Sequence, residues 1–89
     1  MYFLQKVDSY TGDSGNMSMF IYKDTDGAVK YEHGAKPRIG GVIRVGSMFA
    51  RSYSAQDWWQ TSLITEILEE TENYVKFRTL NSVYEWKRG

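Results

Sequence analysis

Apolar and polar positions alternate most clearly near the end of the chain, in Tyr74-Val75-Lys76-Phe77-Arg78-Thr79 and in Val83-Tyr84-Glu85-Trp86. A strand sends successive side chains to opposite faces, so this period of two predicts two strands, with Leu80-Asn81-Ser82 as the turn between them. The preceding run, residues 58–70, admits two readings. Leu63, Ile64, Ile67 and Leu68 fall at helical spacing, and Glu is a good helix former. Against this, Thr61, Ile64 and Thr65 are β-branched, the run opens on paired Trp, and Glu70-Thr71-Glu72-Asn73 makes a natural turn into the next alternating segment. Strand is the preferred reading, with helix left open for residues 62–70. The last third of the chain is thus expected to be three antiparallel strands joined by two tight turns.

The rest of the chain continues the pattern. Residues 2–7 predict a first strand, ended by the turn-like cluster Thr11-Gly12-Asp13-Ser14-Gly15-Asn16. Met17, Met19 and Ile21 against Ser18, Phe20 and Tyr22 predict a strand filled on both faces. Asp26-Gly27 suits a tight hairpin turn into a return strand over residues 28–32. His33 to Arg38 is expected to be irregular and to wrap a sheet edge, because Pro37 restricts both itself and Lys36 to extended geometry. Gly40 to Phe49 predicts a strand whose glycines mark a bend or a close backbone approach, and Ser52 to Gln56 a polar loop. Together these elements predict an all-β fold: a small SH3-like or partly open antiparallel barrel of five to seven strands, in a single domain over residues 1–89.

Composition narrows the picture. Eighty-nine residues support one small core, and seven Tyr, four Phe and three Trp supply bulky rings in place of core depth. With no Cys there is neither a disulfide framework nor a thiolate metal site, which suits a reducing cytosol. The N-terminal residues show no basic leader and no long apolar run, so a soluble, cytoplasmic protein with no membrane partner is expected. Eleven basic residues balance eleven acidic ones, giving no bulk electrostatic case for a polyanionic partner. Locally, however, the fixed charges from His33 to Gln56 are all positive (Lys36, Arg38, Arg44, Arg51), while Glu66, Glu69, Glu70 and Glu72 crowd together. These runs read either as solvated faces and turns or as a segregated surface.

The string Asp57-Trp58-Trp59-x-Thr61-Ser62-x-x-Thr65-Glu66-Ile67, followed by Val75-x-Phe77-x-Thr79-x-Asn81-Ser82-x-Tyr84, resembles the C-terminal pattern of small uncharacterised bacteriophage accessory proteins. The likeness covers the chain from near Ile39 onward and is structural, made of alternating core positions and an Asn-Ser turn. It brings no catalytic or binding residues. What it implies is a setting: a phage-encoded protein in the bacterial host cytoplasm that binds a host component.

Reactive chemistry is sparse. One His and no Cys leave few ways to assemble a nucleophile with a base, so no enzyme and no cofactor are expected. His33 reads as a solvated loop histidine. Glu66 and Glu69 are expected on opposite faces by strand alternation, which argues against a carboxylate metal site. Gly40-Gly41 and Gly46 lack the Gly-Lys-Ser/Thr element of a phosphate loop. The informative feature is Trp58-Trp59, because neighbours in a strand face opposite sides and one ring is left outside the core. If Trp59 packs with Leu63, Ile67 and Phe77, Trp58 lies outward near Arg51 and Tyr53. That surface has three readings: a protein-binding hot spot centred on Arg51, Tyr53 and Trp58; a stacking platform for single-stranded nucleic acid or a nucleotide beside Lys36, Arg38, Arg44 and Arg51; or a second mini-core covered by the N-terminal hairpin. Binding that inhibits or redirects a host bacterial protein is the leading functional expectation, nucleic-acid or nucleotide binding the alternative. Homo-oligomerisation through exposed strand edges is a third reading.

Overall fold

The computed structural model describes residues 1–9, 12–46 and 58–89, and every regular element among them is a strand. In chain order these are β1 (Tyr2–Lys6), β2 (Gly12–Gly15), β3 (Met17–Lys23), β4 (Val29–His33), β5 (Gly41–Gly46), β6 (Trp58–Gln60), β7 (Ile64–Glu70), β8 (Tyr74–Thr79) and β9 (Val83–Arg88). They form two antiparallel sheets, a first with the order β2-β1-β9-β8-β7 and a second with the order β4-β3-β5-β6. The all-β class holds, with nine strands among the described residues where five to seven were expected. Two short elements account for the excess. β2 occupies the segment expected to be a turn, pairing from Tyr2 with Gly15 to Gln5 with Gly12, because main-chain pairing needs no strand-forming side chains. Among the described residues the turn falls earlier, over Val7 to Ser9. β6 is separated from β7 by Thr61 to Leu63, where the chain leaves one sheet for the other.

The C-terminal strands lie where alternation places them, β7 against β8 and β8 against β9. Residues 64–70 are strand, and the helical reading fails because Ile64 and Phe77 must both enter a core that only the extended register reaches. Asp26-Gly27 lies in the β3-β4 turn, with Gly27 at a φ of 82° that an L side chain rarely adopts. There Asp24 closes the loop by accepting from the main-chain N–H of Asp26 (2.9 Å) and Ala28 (3.0 Å). Gly41 is the close approach anticipated for the glycine pair: a Cβ there would stand 2.5 Å from both the Ile21 carbonyl oxygen and the Phe20 ring. The end of the strand predicted through Phe49, and the Ser52 to Gln56 loop, lie outside the described residues.

The sheets close on Leu4, Phe20, Ile43, Val45, Ile64, Val75, Phe77, Tyr84 and Trp86. Trp86 is fully buried, and its indole N–H donates to the buried Ser18 hydroxyl at 2.9 Å, joining β9 of one sheet to β3 of the other. At the β6-β7 corner the sheets are tied by main-chain bonds from Thr61 to Ile43 (3.0 Å), Gly40 to Ile64 (3.0 Å) and Leu80 to Leu63 (3.1 Å).

Candidate interaction surface

Because Ser18, Phe20, Ile43 and Val45 point into the core, Met19, Ile21, Val42 and Arg44 face outward from the second sheet. Pairing carries this face sideways. Ile21 stands opposite Tyr31 on one side and Val42 on the other, and Lys23 opposite Val29. Arg44 stands opposite Gln60, and Gly46 opposite Trp58. The outcome is an apolar sheet face on which Val29, Tyr31 and Leu63 remain 48%, 58% and 43% exposed. A shallow depression of about 380 Å3, lined by Ile21, Lys23, Val29, Gly41, Val42 and Leu63, lies at its end.

Trp58 is half-buried, with the Arg44 guanidinium 4.0 Å from its ring centroid. Gln60 anchors that guanidinium by accepting from Nε at 3.1 Å and from Nη2 at 2.8 Å. Two cations, Lys23 and Arg44, lie on this face, and none of its described strand residues is a carboxylate. Trp59 turns inward, its ring 5.5 Å from that of Tyr84, which in turn stacks on Phe77 at 5.7 Å. The split of the Trp pair is as anticipated; the expected contact of Trp59 with Leu63 is not, since Leu63 is turned outward to the depression.

The other cations singled out in sequence do not share this face. Arg38 stacks over Phe20 (4.5 Å) and Tyr22 (5.5 Å), on the opposite side of the second sheet from Arg44. Its guanidinium makes a two-point pair with Glu32 at 2.8 and 3.3 Å. Hydrogen bonds from Arg38 and then Tyr22 hold the Glu32 carboxyl below its usual range. Lys36 reaches to the end of β7, donating to Glu70 at 3.2 Å and to the Thr71 carbonyl at 3.0 Å. Lys36, Arg38 and Arg44 therefore point three ways and make no continuous basic stripe. Arg51 and Tyr53 lie outside the described residues. His33 ends β4, exposed, with its ring edge-on to Tyr2 at a centroid distance of 6.1 Å.

Glu66 and Glu69 depart from simple alternation. Register shifts between Ile64 and Glu66 and between Ile67 and Glu69 set Glu66 opposite Arg78 and Glu69 opposite Lys76, both on the outer face of the first sheet. The Glu66 and Arg78 side chains form an ion pair at 2.8 Å. Among the described residues no group of three or more His, Cys, Asp or Glu is placed to hold a metal ion, and no helix is long and apolar enough to cross a membrane.

No family model, curated protein or solved structure matches the chain. The grouping of Arg44, Trp58 and Gln60 was hidden in sequence because the residues are brought together by β5-β6 pairing across sixteen positions. A local signal did exist for β4, where Val29, Tyr31 and His33 alternate with Lys30 and Glu32.

Proposed function

We propose that this chain is a non-enzymatic binding module that docks a partner protein through the outer face of its second sheet. The observation that carries the reading is an apolar sheet face with an outward Trp58, its ring covered by a guanidinium that Gln60 orients and no described carboxylate neutralises. Trp, Tyr and Arg dominate interface hot spots because large, stiff side chains bury much area at little entropic cost. The fitting partner is an apolar patch with an acidic group set to meet Arg44. The phage-like pattern of the C-terminal hairpin supports a host bacterial protein in that role, inhibited or redirected in the cytoplasm.

The test is affinity capture from bacterial lysate with and without nuclease, followed by titration of the purified captured protein against wild type and Trp58→Ala. A protein retained after nuclease, and bound at least about tenfold more weakly by the variant, supports the reading. Recovery that vanishes with nuclease overturns it in favour of a stacking surface for single-stranded nucleic acid or a nucleotide. Among the described residues that second reading rests on Arg44, Lys23 and Trp58, given the scatter of Lys36 and Arg38. Its mark is a shallow salt dependence, a slope of about 0.7 for each phosphate neutralised.

A further inference from the structure

The second sheet ends in β4, and among the described residues no strand lies beyond it. Its free edge can be read from the bonds at either end of the β3-β4 ladder. The Asp24 N–H donates to the Ala28 carbonyl at 2.9 Å, and the Gly34 N–H to the Ser18 carbonyl at 2.8 Å. Antiparallel pairs alternate between bonded and non-bonded, so Lys30 and Glu32 bond toward β3, whereas Val29, Tyr31 and His33 present N–H and C=O groups to the outside.

The other sheet ends are built differently. β7 carries two register shifts, and among the described residues β6 spans three and β2 four, Gly-Asp-Ser-Gly. Irregular or very short edges resist pairing with another chain. β4 has five residues, an unbroken register, no proline and no bulge.

We propose that β4 pairs with β4 of a second copy, antiparallel about a twofold axis through Tyr31, to make a continuous eight-stranded sheet. One register satisfies the outward main-chain groups and the side chains together. Tyr31 faces its own copy, and Val29 faces His33 in bonded pairs formed by the outward-directed residues. Lys30 then falls opposite Glu32, twice by symmetry. Lys30 alone would discourage edge pairing, but here it meets a carboxylate with a lone pair still free beside its two Arg38 bonds and that from Tyr22. The Lys30 side chain is 52% exposed and 3.7 Å from Asp24, a loose contact that leaves it free to reach across. Pairing also joins the two apolar outer faces edge to edge. This inference uses the strand edge rather than the Trp58 face and does not rest on the function proposed above.

The experiment is sedimentation equilibrium from micromolar to millimolar protein, on wild type, Lys30→Glu and Tyr31→Pro. Wild type is expected to dimerise. Lys30→Glu sets like charges opposite each other twice and raises the dissociation constant about tenfold. Tyr31→Pro removes an outward N–H without touching the β3 ladder and abolishes the dimer. Circular dichroism checks that the proline variant folds; if it does not, Lys30→Glu decides. A wild type that stays monomeric throughout overturns the inference, as does a dimer that Lys30→Glu leaves unchanged. Trp58→Ala should leave the dimer intact, so failure of the edge and failure of the Trp58 face are distinguishable.

Discussion

The two outer faces of this molecule are built on similar strands yet finished in opposite ways. On the first sheet, Gln5, Glu85, Lys76 and Glu69 line up across four strands, and Arg78 stands opposite Glu66 in the adjoining row. In these rows each charge stands opposite one of the other sign, while Lys87 on the same face stands opposite Phe3 and Tyr74, and the Tyr74 hydroxyl donates to Glu85 at 2.7 Å. On the second sheet the corresponding positions hold Met19, Ile21, Tyr31 and Val42, with Arg44 drawn over Trp58. The first face is largely polar and charge-paired and gains little from a partner. The second leaves apolar area and a partly exposed guanidinium that no described carboxylate neutralises, the condition under which association releases free energy. Phe3, 43% exposed on the first face, has Gln5, Glu85 and Lys87 around it and does not make a patch.

The largest expected effect erases the comparison. Trp86→Ala removes the ring shared by both sheets and leaves the Ser18 hydroxyl without its partner, so it should cost about 3–5 kcal/mol in denaturant unfolding. Loss of only a few tenths of a kcal/mol would mean that the sheets do not depend on one core. Next, Trp58→Ala should weaken partner binding by about 2 kcal/mol or more while shifting the melting temperature little, and Lys76→Ala on the first face should leave binding unchanged. Equal losses from both substitutions would dissolve the distinction between the faces. A smaller effect is expected from Glu66→Gln, whose exposed ion pair with Arg78 should contribute about 0.2–1 kcal/mol at low salt and nothing measurable in molar salt.

The finest test is a titration of Tyr74. Burial, then the hydrogen bond to Glu85, then the charges of Glu85 and Glu69 push its hydroxyl up to about 12. The folded state therefore favours the protonated phenol. Its contribution to stability is fully present below pH 10, the ordinary value, and is lost as pH rises through the folded value. Ultraviolet titration of the phenolates should place Tyr74 among the late-titrating tyrosines, with Tyr22 and Tyr84 also raised, and Glu85→Gln should bring Tyr74 part of the way down, burial remaining. A Tyr74 that already titrates at its ordinary value would show that the first face is less ordered than its register implies.

Much of the last third was legible in the chain itself. Alternation is local, so β8 and β9, the turns that bound them, and the division of Trp58 from Trp59 follow from residue order and the period of a strand. The requirement for glycine near Gly41 could also be anticipated, though not that the Ile21 carbonyl and the Phe20 ring impose it. The tertiary structure alone decided three matters. It set Arg44 with Trp58 and turned Arg38 to the other side of the sheet; it brought Glu66 and Glu69 to one face through the irregular β7-β8 register; and it made a strand of Gly12 to Gly15. The reason is common to all three. Which strand lies beside which, and in what register, is chosen by filling one core with Phe20, Phe77 and Trp86 from distant parts of the chain, and a slip of one residue moves a side chain to the opposite face.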